Sequence, residues 1–329
     1  MKKVHVPVID LNNIDAGNFS SAALQIFQYQ AASLPVYRNF LQLLDIRPDD
    51  ITDLHQIPFL PVSLYKNNMV IAEGYTPQLI FESSGTTGSN TSRHPVADIE
   101  IYKQSIRRGF ELMYGNPQEY CILGLLPSYL ERKNASLIFM VNYLMQLSGN
   151  PRNGFYLDNQ LQLHETLRYN EANSIKTILL GVSFALIDFA ENFSMPLQHT
   201  LVMETGGMKG RRKEMTRQEL HEILKQSFHV RAIHSEYGMT ELLSQAYSQG
   251  NGKFSTPPWM QILIRDADDP FYLLPENKNG LINIIDLANI YSCSFIETQD
   301  TGILYDAHTF SVTGRFDTAD IRGCNLLVV

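Results

Sequence analysis

The sequence predicts an α/β protein made of layered α/β subdomains with a small β-rich subdomain. Short apolar runs alternate with segments of helical spacing over the first 258 residues, which is typical of parallel strands covered by helices. After Trp259 the pattern changes to short strands and turns. The 329 residues exceed what one hydrophobic core usually holds, so two lobes are expected.

Three helical segments are predicted from apolar spacing and capping. Residues 20–45 carry apolar side chains at helical intervals, and residues 97–114 place an apolar stripe on one face. The stripe consists of Ile99, Tyr102, Ile106, Phe110 and Met113. The segment Thr216-Arg217-Gln218-Glu219 has the spacing of a capping box, which predicts a helix from there to about Gln226.

Short strands are predicted between these helices. Leu79–Glu82 is the first, and four further apolar runs are typical of buried parallel strands. These runs are residues 120–126, 177–180, 200–203 and 230–233, and the β-rich region adds residues 282–285 and 303–305. Because parallel α/β sheets bind ligands at the carboxyl ends of their strands, the segments that follow these strands are the candidate functional positions.

A run of small, hydroxyl-rich residues directly follows the first predicted strand. It reads Ser83-Ser84-Gly85-Thr86-Thr87-Gly88-Ser89. Its glycines permit unusual backbone conformations, and its hydroxyl and N–H groups can converge on a polyanion, so a nucleotide phosphate is the expected ligand. The lysine of the usual P-loop is missing, because Ser89 and Asn90 follow Gly88, which disfavours kinases and GTPases. The alternative is a flexible surface loop or linker.

A second candidate segment, Glu236-Tyr237-Gly238-Met239-Thr240-Glu241, follows the predicted strand over residues 230–235. An aromatic ring beside a glycine, then a hydroxyl and a carboxylate, could stack a purine, bond a phosphate and hold Mg²⁺. The alternative is a strand-to-helix turn in which Thr240 and Glu241 start the next helix.

The third candidate segment contains Thr298-Gln299-Asp300-Thr301-Gly302, followed after a predicted hairpin by Gly314-Arg315-Phe316-Asp317. The Asp300 carboxylate could accept hydrogen bonds from two ribose hydroxyls, with the Arg315 guanidinium close by. Asp-Thr-Gly is also a common turn.

In this order, the three segments resemble those of the adenylate-forming enzymes, which include acyl-CoA synthetases, phenylacetate-CoA ligases and acyl-protein synthetases. Residues 81–88 are similar to their phosphate loop, residues 237–241 to their Tyr-Gly-x-Thr-Glu motif, and Asp300 to their ribose-binding aspartate. Gly314-Arg315 resembles the start of their hinge. Residues 57–61 are similar to the segment that precedes the loop in phenylacetate-CoA ligases, so the resemblance covers residues 55–325.

Within that superfamily, the chain most resembles the acyl-protein synthetases of fatty-acid reductase complexes, the LuxE type. Residues 126–132, Arg322-Gly323-Cys324 and the short length carry this resemblance. It implies that a fatty acid is activated with ATP as an acyl-adenylate and is then moved to a cysteine near the C-terminus, where Cys324 lies. The alternative for Cys324 is a buried residue of a terminal strand.

The resemblance also implies a role for each candidate residue. Thr240 would bond the α-phosphate, and Glu241 would hold Mg²⁺ against it. The predicted ATP-binding residues are Ser83, Ser84, Gly85, Thr86, Thr87, Gly88, Gly206, Gly207, Tyr237, Gly238, Asp300 and Arg315. Gly206-Gly207 resembles the adenine-side turn, although a glycine pair is equally an ordinary loop. Pro127, Ser128 and Tyr129 are placed in the acyl pocket.

The chain departs from the full-length enzymes after the hinge. These carry a further C-terminal domain with a lysine that contacts the reacting carboxylate, and that domain is expected to be missing here because fourteen residues follow Arg315. Basic residues that could replace the lysine are Lys209, Arg211, Arg212 and Lys213, which equally suit a solvated loop. The predicted domains are therefore a nucleotide- and acyl-binding lobe of two packed subdomains (1–258), the β-rich subdomain (259–315), and a hinge remnant with a tail (316–329).

Composition and charge are those of a folded protein that binds small ligands. The net charge of −8 disfavours nucleic acid as a partner, whereas one small anion needs only local positive potential. Three cysteines show neither a disulfide framework nor metal spacing, and no signal peptide or membrane span is recognised, so a cytoplasmic location is expected.

These observations predict an AMP-forming ligase that uses ATP, Mg²⁺ and a carboxylic acid, with an acyl-accepting protein, a reductase or a carrier protein, as partner. Two alternatives stay open at this point. One is a degenerate protein that binds a nucleotide or acyl-adenylate without turnover, and the other is an acyl-CoA or aryl-CoA ligase in which Cys324 is purely structural.

Overall fold

A computed structural model describes residues 5–83, 91–127, 134–156, 159–206 and 215–316. The chain divides into two compact units. One comprises Thr76–Pro257 and is called the parallel-sheet unit, and the other comprises Met1–Tyr75 with Pro258–Val329 and is called the β-rich unit. The functional lobes expected from the sequence stay a prediction.

The described residues form seven α-helices and fourteen strands. The helices are α1 (Phe19–Ser33), α2 (Pro35–Leu43), α3 (Ile99–Tyr114), α4 (Ser136–Ser148), α5 (Gln160–Ala172), α6 (Ser183–Asn192) and α7 (Arg217–Phe228). The strands are β1 (Leu60–Pro61), β2 (Leu79–Glu82), β3 (Arg93–Val96), β4 (Cys121–Leu125), β5 (Gly154–Tyr156), β6 (Thr177–Val182), β7 (Thr200–Thr205), β8 (His234–Tyr237), β9 (Ala246–Ser248), β10 (Lys253–Ser255), β11 (Met260–Arg265), β12 (Asn279–Asp286), β13 (Phe295–Asp306) and β14 (Thr309–Arg315).

The parallel-sheet unit is built on strands in the order β10-β9-β8-β7-β6-β4-β5. Strands β4 to β8 are parallel to one another, and β9 and β10 continue antiparallel. Helix α4 packs on β4, α5 on β5, and α6 on both β6 and β7. Every residue of β4 and β6 is buried, which explains their uninterrupted apolar runs. Strands β2 and β3 form a separate antiparallel hairpin.

The β-rich unit is an antiparallel sheet in the order β11-β12-β13-β14, and β1 pairs parallel to β13. Helices α1 and α2 contribute aromatic side chains to its core. The rings of Phe27, Tyr37 and Phe295 pack together with centroids 6.1 to 6.2 Å apart. The sequence-predicted α/β class with a β-rich region is therefore confirmed.

The predicted elements differ from the observed ones in two places. The helical spacing over residues 20–45 belongs to two helices, because Pro35 cannot continue α1 and instead begins α2. The strand predicted to begin at residue 230 begins later than expected, since β8 starts at His234 and the apolar run over residues 230–233 lies before it. His229 ends α7 in a left-handed conformation, and the residues after it carry the chain from the helix to the sheet.

Other local predictions agree with the structure. The capping box at Thr216 and Glu219 is present at the start of α7. Asp300-Thr301-Gly302 lies inside β13, so the alternative that this segment is a turn is excluded. No helix within the described ranges is long and apolar enough to cross a membrane.

Candidate functional site

The carboxyl ends of four parallel strands meet at one edge of the sheet in the parallel-sheet unit. Strand register aligns Leu125, Gly181, Glu204 and Ser235 across β4, β6, β7 and β8. The residues that follow this row by one or two positions therefore share the same edge. They include Ser183 together with Pro127, Gly206 and Tyr237, so three candidate positions from distant parts of the sequence are brought together.

The segment after β8 is a turn that leads into the antiparallel strand β9. No helix begins at Thr240 or Glu241, so that alternative for the motif was wrong. Gly238 is exposed, Thr240 is half-buried, and the Glu241 side chain is buried with 5% exposure. The turn thus presents the backbone of Gly238 and the hydroxyl of Thr240 at the sheet edge. The adjacent Glu241 carboxylate is shielded from bulk solvent.

The hairpin that flanks the predicted phosphate loop contacts this turn. The imidazole Nδ1 of His94 on β3 lies 2.8 Å from the carbonyl oxygen of Thr240, although the two residues are 146 positions apart. At the loop end of the hairpin, Ser83 and Ser92 exchange backbone and side-chain hydrogen bonds of 2.9 to 3.0 Å. Residues 84–90 lie outside the described ranges. The strand that follows the predicted loop, β3, therefore contacts the Thr240 turn directly, and β2 is linked to the turn through its pairing with β3.

Gly206 directly follows β7 in a left-handed conformation with φ of 68°, which a residue with a side chain rarely adopts. The hydroxyl of Ser183, the first residue of α6, donates to its carbonyl oxygen at 2.8 Å. The glycine predicted for the adenine side thus occupies a backbone position that favours glycine. Its neighbour Gly207 lies outside the described ranges.

A buried carboxylate, Glu204, lies on β7 below this turn. Its Oε1 accepts from Arg217 Nε at 3.1 Å and lies 3.5 Å from His221 Nε2, both on α7. Burial by itself raises the pKa of Glu204, but the hydrogen bond from His221 and the charge of Arg217 outweigh it, so the pKa lies below its ordinary value. Glu204 is therefore ionised at neutral pH and fixes the start of α7 against β7.

A second buried carboxyl group, Glu236, lies on β8 opposite Thr205, whose hydroxyl donates to Glu236 Oε2 at 2.5 Å. Burial, and then the negative charge of Glu204, raise the pKa of Glu236 to about 7, against the lowering effect of the Thr205 hydrogen bond. The neighbouring carboxyl groups of Glu204 and Glu236, at the same sheet edge, thus have pKa values shifted in opposite directions. The pKa of Glu204 is lowered and that of Glu236 is raised. Such divergence is frequent at functional sites, although structural networks also produce it.

Tyr237 is largely buried beside the turn. Its ring meets the ring of Phe254 edge-on at 5.9 Å, and its hydroxyl donates to the sulfur of Met239 at 3.8 Å. The guanidinium of Arg217 lies over the other ring of this pair, 5.0 Å from the centroid of Phe254. The predicted stacking of Tyr237 on a purine stays a prediction.

Asp300 and Arg315 belong to the β-rich unit and lie directly opposite each other on β13 and β14. The backbone N–H of Asp300 donates to the Thr298 hydroxyl at 3.1 Å, and the Arg315 guanidinium donates to Gln299 Oε1 at 3.2 Å. The carboxylate and guanidinium paired in the sequence analysis are therefore neighbours across one strand pair. Their contact with a ribose stays a prediction.

Several predicted residues lie outside the described ranges, and their roles stay predictions. These are Ser84, Gly85, Thr86, Thr87, Gly88, Ser128, Tyr129, Gly207, Cys324 and the basic cluster at Lys209, Arg211, Arg212 and Lys213. The structure also identifies three residues at this site for which the sequence predicted no role: Glu204, Glu236 and His221. The sequence did contain a signal for Glu204. This glutamate directly follows the apolar run over residues 201–203, and a carboxylate in such a position requires a buried partner.

Gly238 is expected to resist substitution because of Glu236. A Cβ atom at Gly238 would lie 2.5 Å from Glu236 Oε1, so alanine there must displace this carboxyl group from Thr205. We expect Gly238→Ala to lower the free energy of unfolding by about 1–3 kcal/mol, as for other disrupted buried hydrogen bonds. Urea unfolding of Gly238→Ala in the wild-type and Glu236→Ala backgrounds checks this. An equal loss in both backgrounds would contradict the explanation, because the second background lacks the displaced group.

The sequence matches the family model described as acyl-protein synthetase, LuxE, over residues 18–329. A search of curated proteins found no match. Similar solved structures include ATP-bound MatB from Rhodopseudomonas palustris, with 15% identity and a TM-score of 0.55, covering 72% of this chain and 47% of that chain. A 2-hydroxyisobutyryl-CoA ligase in complex with 2-HIB-AMP and CoA has 11% identity and a TM-score of 0.66, covering 91% of this chain and 69% of that chain.

A third similar structure is the luciferase-like enzyme from the nonluminescent mealworm Zophobas morio, with 16% identity, a TM-score of 0.54, and coverage of 74% of this chain and 58% of that chain. At these identities the likeness shows a shared fold. The chain spans about half the length of the first of these proteins, since it covers 47% of MatB.

Proposed function

Because the chain belongs to the LuxE acyl-protein synthetase family, we propose that it activates a carboxylic acid, most suitably a fatty acid, with ATP and passes the acyl group to a thiol. One structural observation supports the proposal in addition to family membership. The hairpin around the predicted phosphate loop is joined to the Thr240-Glu241 turn by the contact between His94 and the Thr240 carbonyl. The hairpin that flanks the proposed phosphate-binding loop and the Thr240-Glu241 turn are therefore neighbours within one unit.

The proposed first step is adenylation. A carboxylate oxygen attacks the α-phosphorus of ATP, the bond between the α-phosphorus and its bridging oxygen breaks, and pyrophosphate leaves. Two anions must approach each other, so the site has to offset their repulsion with oriented donors. The Thr240 hydroxyl, half-buried at the sheet edge, would donate to the α-phosphate as negative charge develops there.

Glu241 is the residue that would hold Mg²⁺. Mg²⁺ in nucleotide sites is usually bound by one or two carboxylates together with phosphate oxygens, so a single buried carboxylate next to the Thr240 hydroxyl fits this ion. Among the described residues, no group of three or more His, Cys, Asp or Glu side chains could form a metal site made of protein alone. The ion would supply positive charge at the phosphates.

The proposed second step is acyl transfer. A thiolate attacks the carbonyl carbon of the acyl-adenylate, a thioester forms, and AMP leaves. Cys324 is the proposed acceptor, because Arg315 and Arg322 lie near it in the sequence and would favour its thiolate. Both described cysteines are poorer nucleophiles, since burial raises the pKa of the Cys121 and Cys293 thiols. A reductase or carrier protein would receive the acyl group afterwards.

The adenylation step is tested by fatty-acid-dependent exchange of pyrophosphate into ATP, combined with a hydroxamate assay over a panel of aliphatic and aryl carboxylic acids. Exchange with AMP formation supports the proposal, and the acid that gives most hydroxamate names the substrate class. ATP binding without exchange for any acid would contradict ligase activity and would instead indicate a nucleotide-binding protein. ADP release would indicate a kinase-like reaction.

Replacing Cys324 with serine is expected to remove the acyl label from the protein while adenylation continues. A serine ester resists neutral hydroxylamine, whereas a thioester does not, so hydroxylamine-labile fatty acid should be found on the wild type and not on Cys324→Ser. The measurement is radiolabel on the intact chain after incubation with ATP, with Cys121→Ser as the matched control that should keep its label. A hydroxylamine-labile label that survives in Cys324→Ser would remove this cysteine from the mechanism.

A further inference from the structure

His94 is fully buried on β3, and its imidazole Nδ1 lies 2.8 Å from the Thr240 carbonyl oxygen. A carbonyl oxygen only accepts hydrogen bonds, so Nδ1 must carry the proton and donate it. The contact therefore runs from a side chain on the hairpin to the backbone of the turn. Because it uses the backbone, it is independent of the Thr240 side chain.

The position of His94 is itself fixed by packing on the hairpin. His94 lies directly opposite Phe81 on β2, so the two side chains share one face of the hairpin. Phe81 is buried and packs edge-on against Tyr102 of α3 and Phe139 of α4, with centroids 5.4 and 5.7 Å away. His94 therefore lies on a regular strand whose cross-strand neighbour, Phe81, is part of a buried aromatic cluster.

The turn that receives this hydrogen bond is also attached at other points. The Leu242 N–H donates to the Met239 carbonyl at 3.2 Å, and the Ser244 hydroxyl lies 3.1 Å from the Ser105 hydroxyl on α3. The first bond closes the turn around Thr240 and Glu241, and the second attaches the segment after the turn to α3. The hydrogen bond from His94 acts on the peptide unit that joins Thr240 to Glu241.

We propose that His94 is a positioning residue for adenylation, which orients the Thr240 hydroxyl and the Glu241 carboxylate through the peptide group between them. This inference rests on the proposed function, because it assigns His94 to the proposed adenylation site. His94 would act there without contacting the substrate. A shift of about 1 Å in a catalytic group can cost on the order of 10²-fold in rate, so a single backbone hydrogen bond at this point is sufficient to matter.

The test compares His94→Leu, which removes the donor, with His94→Asn, whose side-chain amide can place an N–H near the position of Nδ1. We expect His94→Leu to lower kcat for acid-dependent pyrophosphate exchange on the order of 10²-fold, with a smaller change in KM for the acid. His94→Asn should recover most of the lost rate. The exposed His55→Leu, in the β-rich unit, is the matched control and should keep the wild-type rate.

Non-additivity separates positioning from a general structural role. If His94 acts through Thr240, the double variant His94→Leu/Thr240→Val should be slower than wild type by clearly less than the product of the two single effects. Independent effects that multiply fully would overturn the proposal. Equal rates for wild type and His94→Leu would also overturn it, as would a failure of His94→Asn to recover any rate while folding normally by circular dichroism.

Failure of the proposed function has a separate readout. If wild type shows no exchange with any acid, the adenylation proposal fails, and calorimetric titration with Mg²⁺ and ATP then tests His94 alone. We expect ATP to bind His94→Leu about tenfold more weakly than wild type and His94→Asn, because the turn that carries Thr240 and Glu241 loses the hydrogen bond that orients it. Equal affinity of all three, or no ATP binding by wild type, would overturn the positioning role.

Discussion

Replacing Thr240 with valine is expected to slow acid-dependent pyrophosphate exchange by about 10²–10³-fold, the usual effect of removing one donor to developing charge in an active site. Valine keeps the β-branched shape of threonine and loses only the hydroxyl. It also keeps the backbone carbonyl that accepts from His94, so the turn should retain its conformation. The measurement is the exchange rate at saturating acid and ATP.

Thr240→Ser is the matched control because it restores a hydroxyl at the same position. We expect it to lose less than about tenfold, since only a methyl group is removed. An unchanged unfolding midpoint for both variants would show that the loss in Thr240→Val is chemical. A rate for Thr240→Val close to that of wild type would exclude the hydroxyl from the α-phosphate and with it the role proposed for this turn.

The second large effect is expected from Glu236 and concerns stability as a function of pH. Its pKa is about 7 in the folded protein and 4.5 as its ordinary value, so the folded state binds the proton more tightly than the unfolded state. The resulting stability is fully present below pH 4.5 and is lost as the pH rises through about 7. Between about pH 5 and pH 8, this group should lower the free energy of unfolding by about 2–3 kcal/mol.

Glu236→Gln is the control that isolates this contribution. Glutamine keeps an oxygen that can accept from Thr205 but does not ionise. Other groups titrate in the same range: burial, and then the charge of His221, lower the pKa of the nearby His234, which makes stability rise with pH. The difference between wild type and Glu236→Gln, from urea unfolding at several pH values, should therefore show the loss. A difference that does not change with pH would contradict a raised pKa at Glu236.

The sequence predicted the elements that carry the candidate site with useful accuracy. Periodic apolar spacing located α3, and the Thr216-Glu219 capping box located α7, because both signals depend on residues within one helix. The strand leading to Tyr237 was predicted to begin four residues too early. The apolar run that suggested it ends at Ile233, which is buried but lies outside the strand. Burial alone does not distinguish a strand from the irregular segment that enters it.

The partners of the buried charges were not predictable from the sequence. Glu204 meets Arg217 and His221 only because the fold brings the first turns of α7 to β7, and Glu236 meets Thr205 only because β7 and β8 pair in one register. The His94 contact joins residues 146 positions apart. No local pattern encodes such distances.

The fold class, the family and the residue types proposed for catalysis could be inferred from the amino-acid sequence alone. Small-residue loops, capping boxes and apolar periodicity are all local sequence patterns. Strand pairing was needed to show that Pro127, Ser183, Gly206 and Tyr237 share one sheet edge, and that Glu204 is ionised while Glu236 keeps its proton to about pH 7. The electrostatic environment of a carboxyl group depends on its burial and on its neighbours in space, and both are set by how strands pair and helices pack.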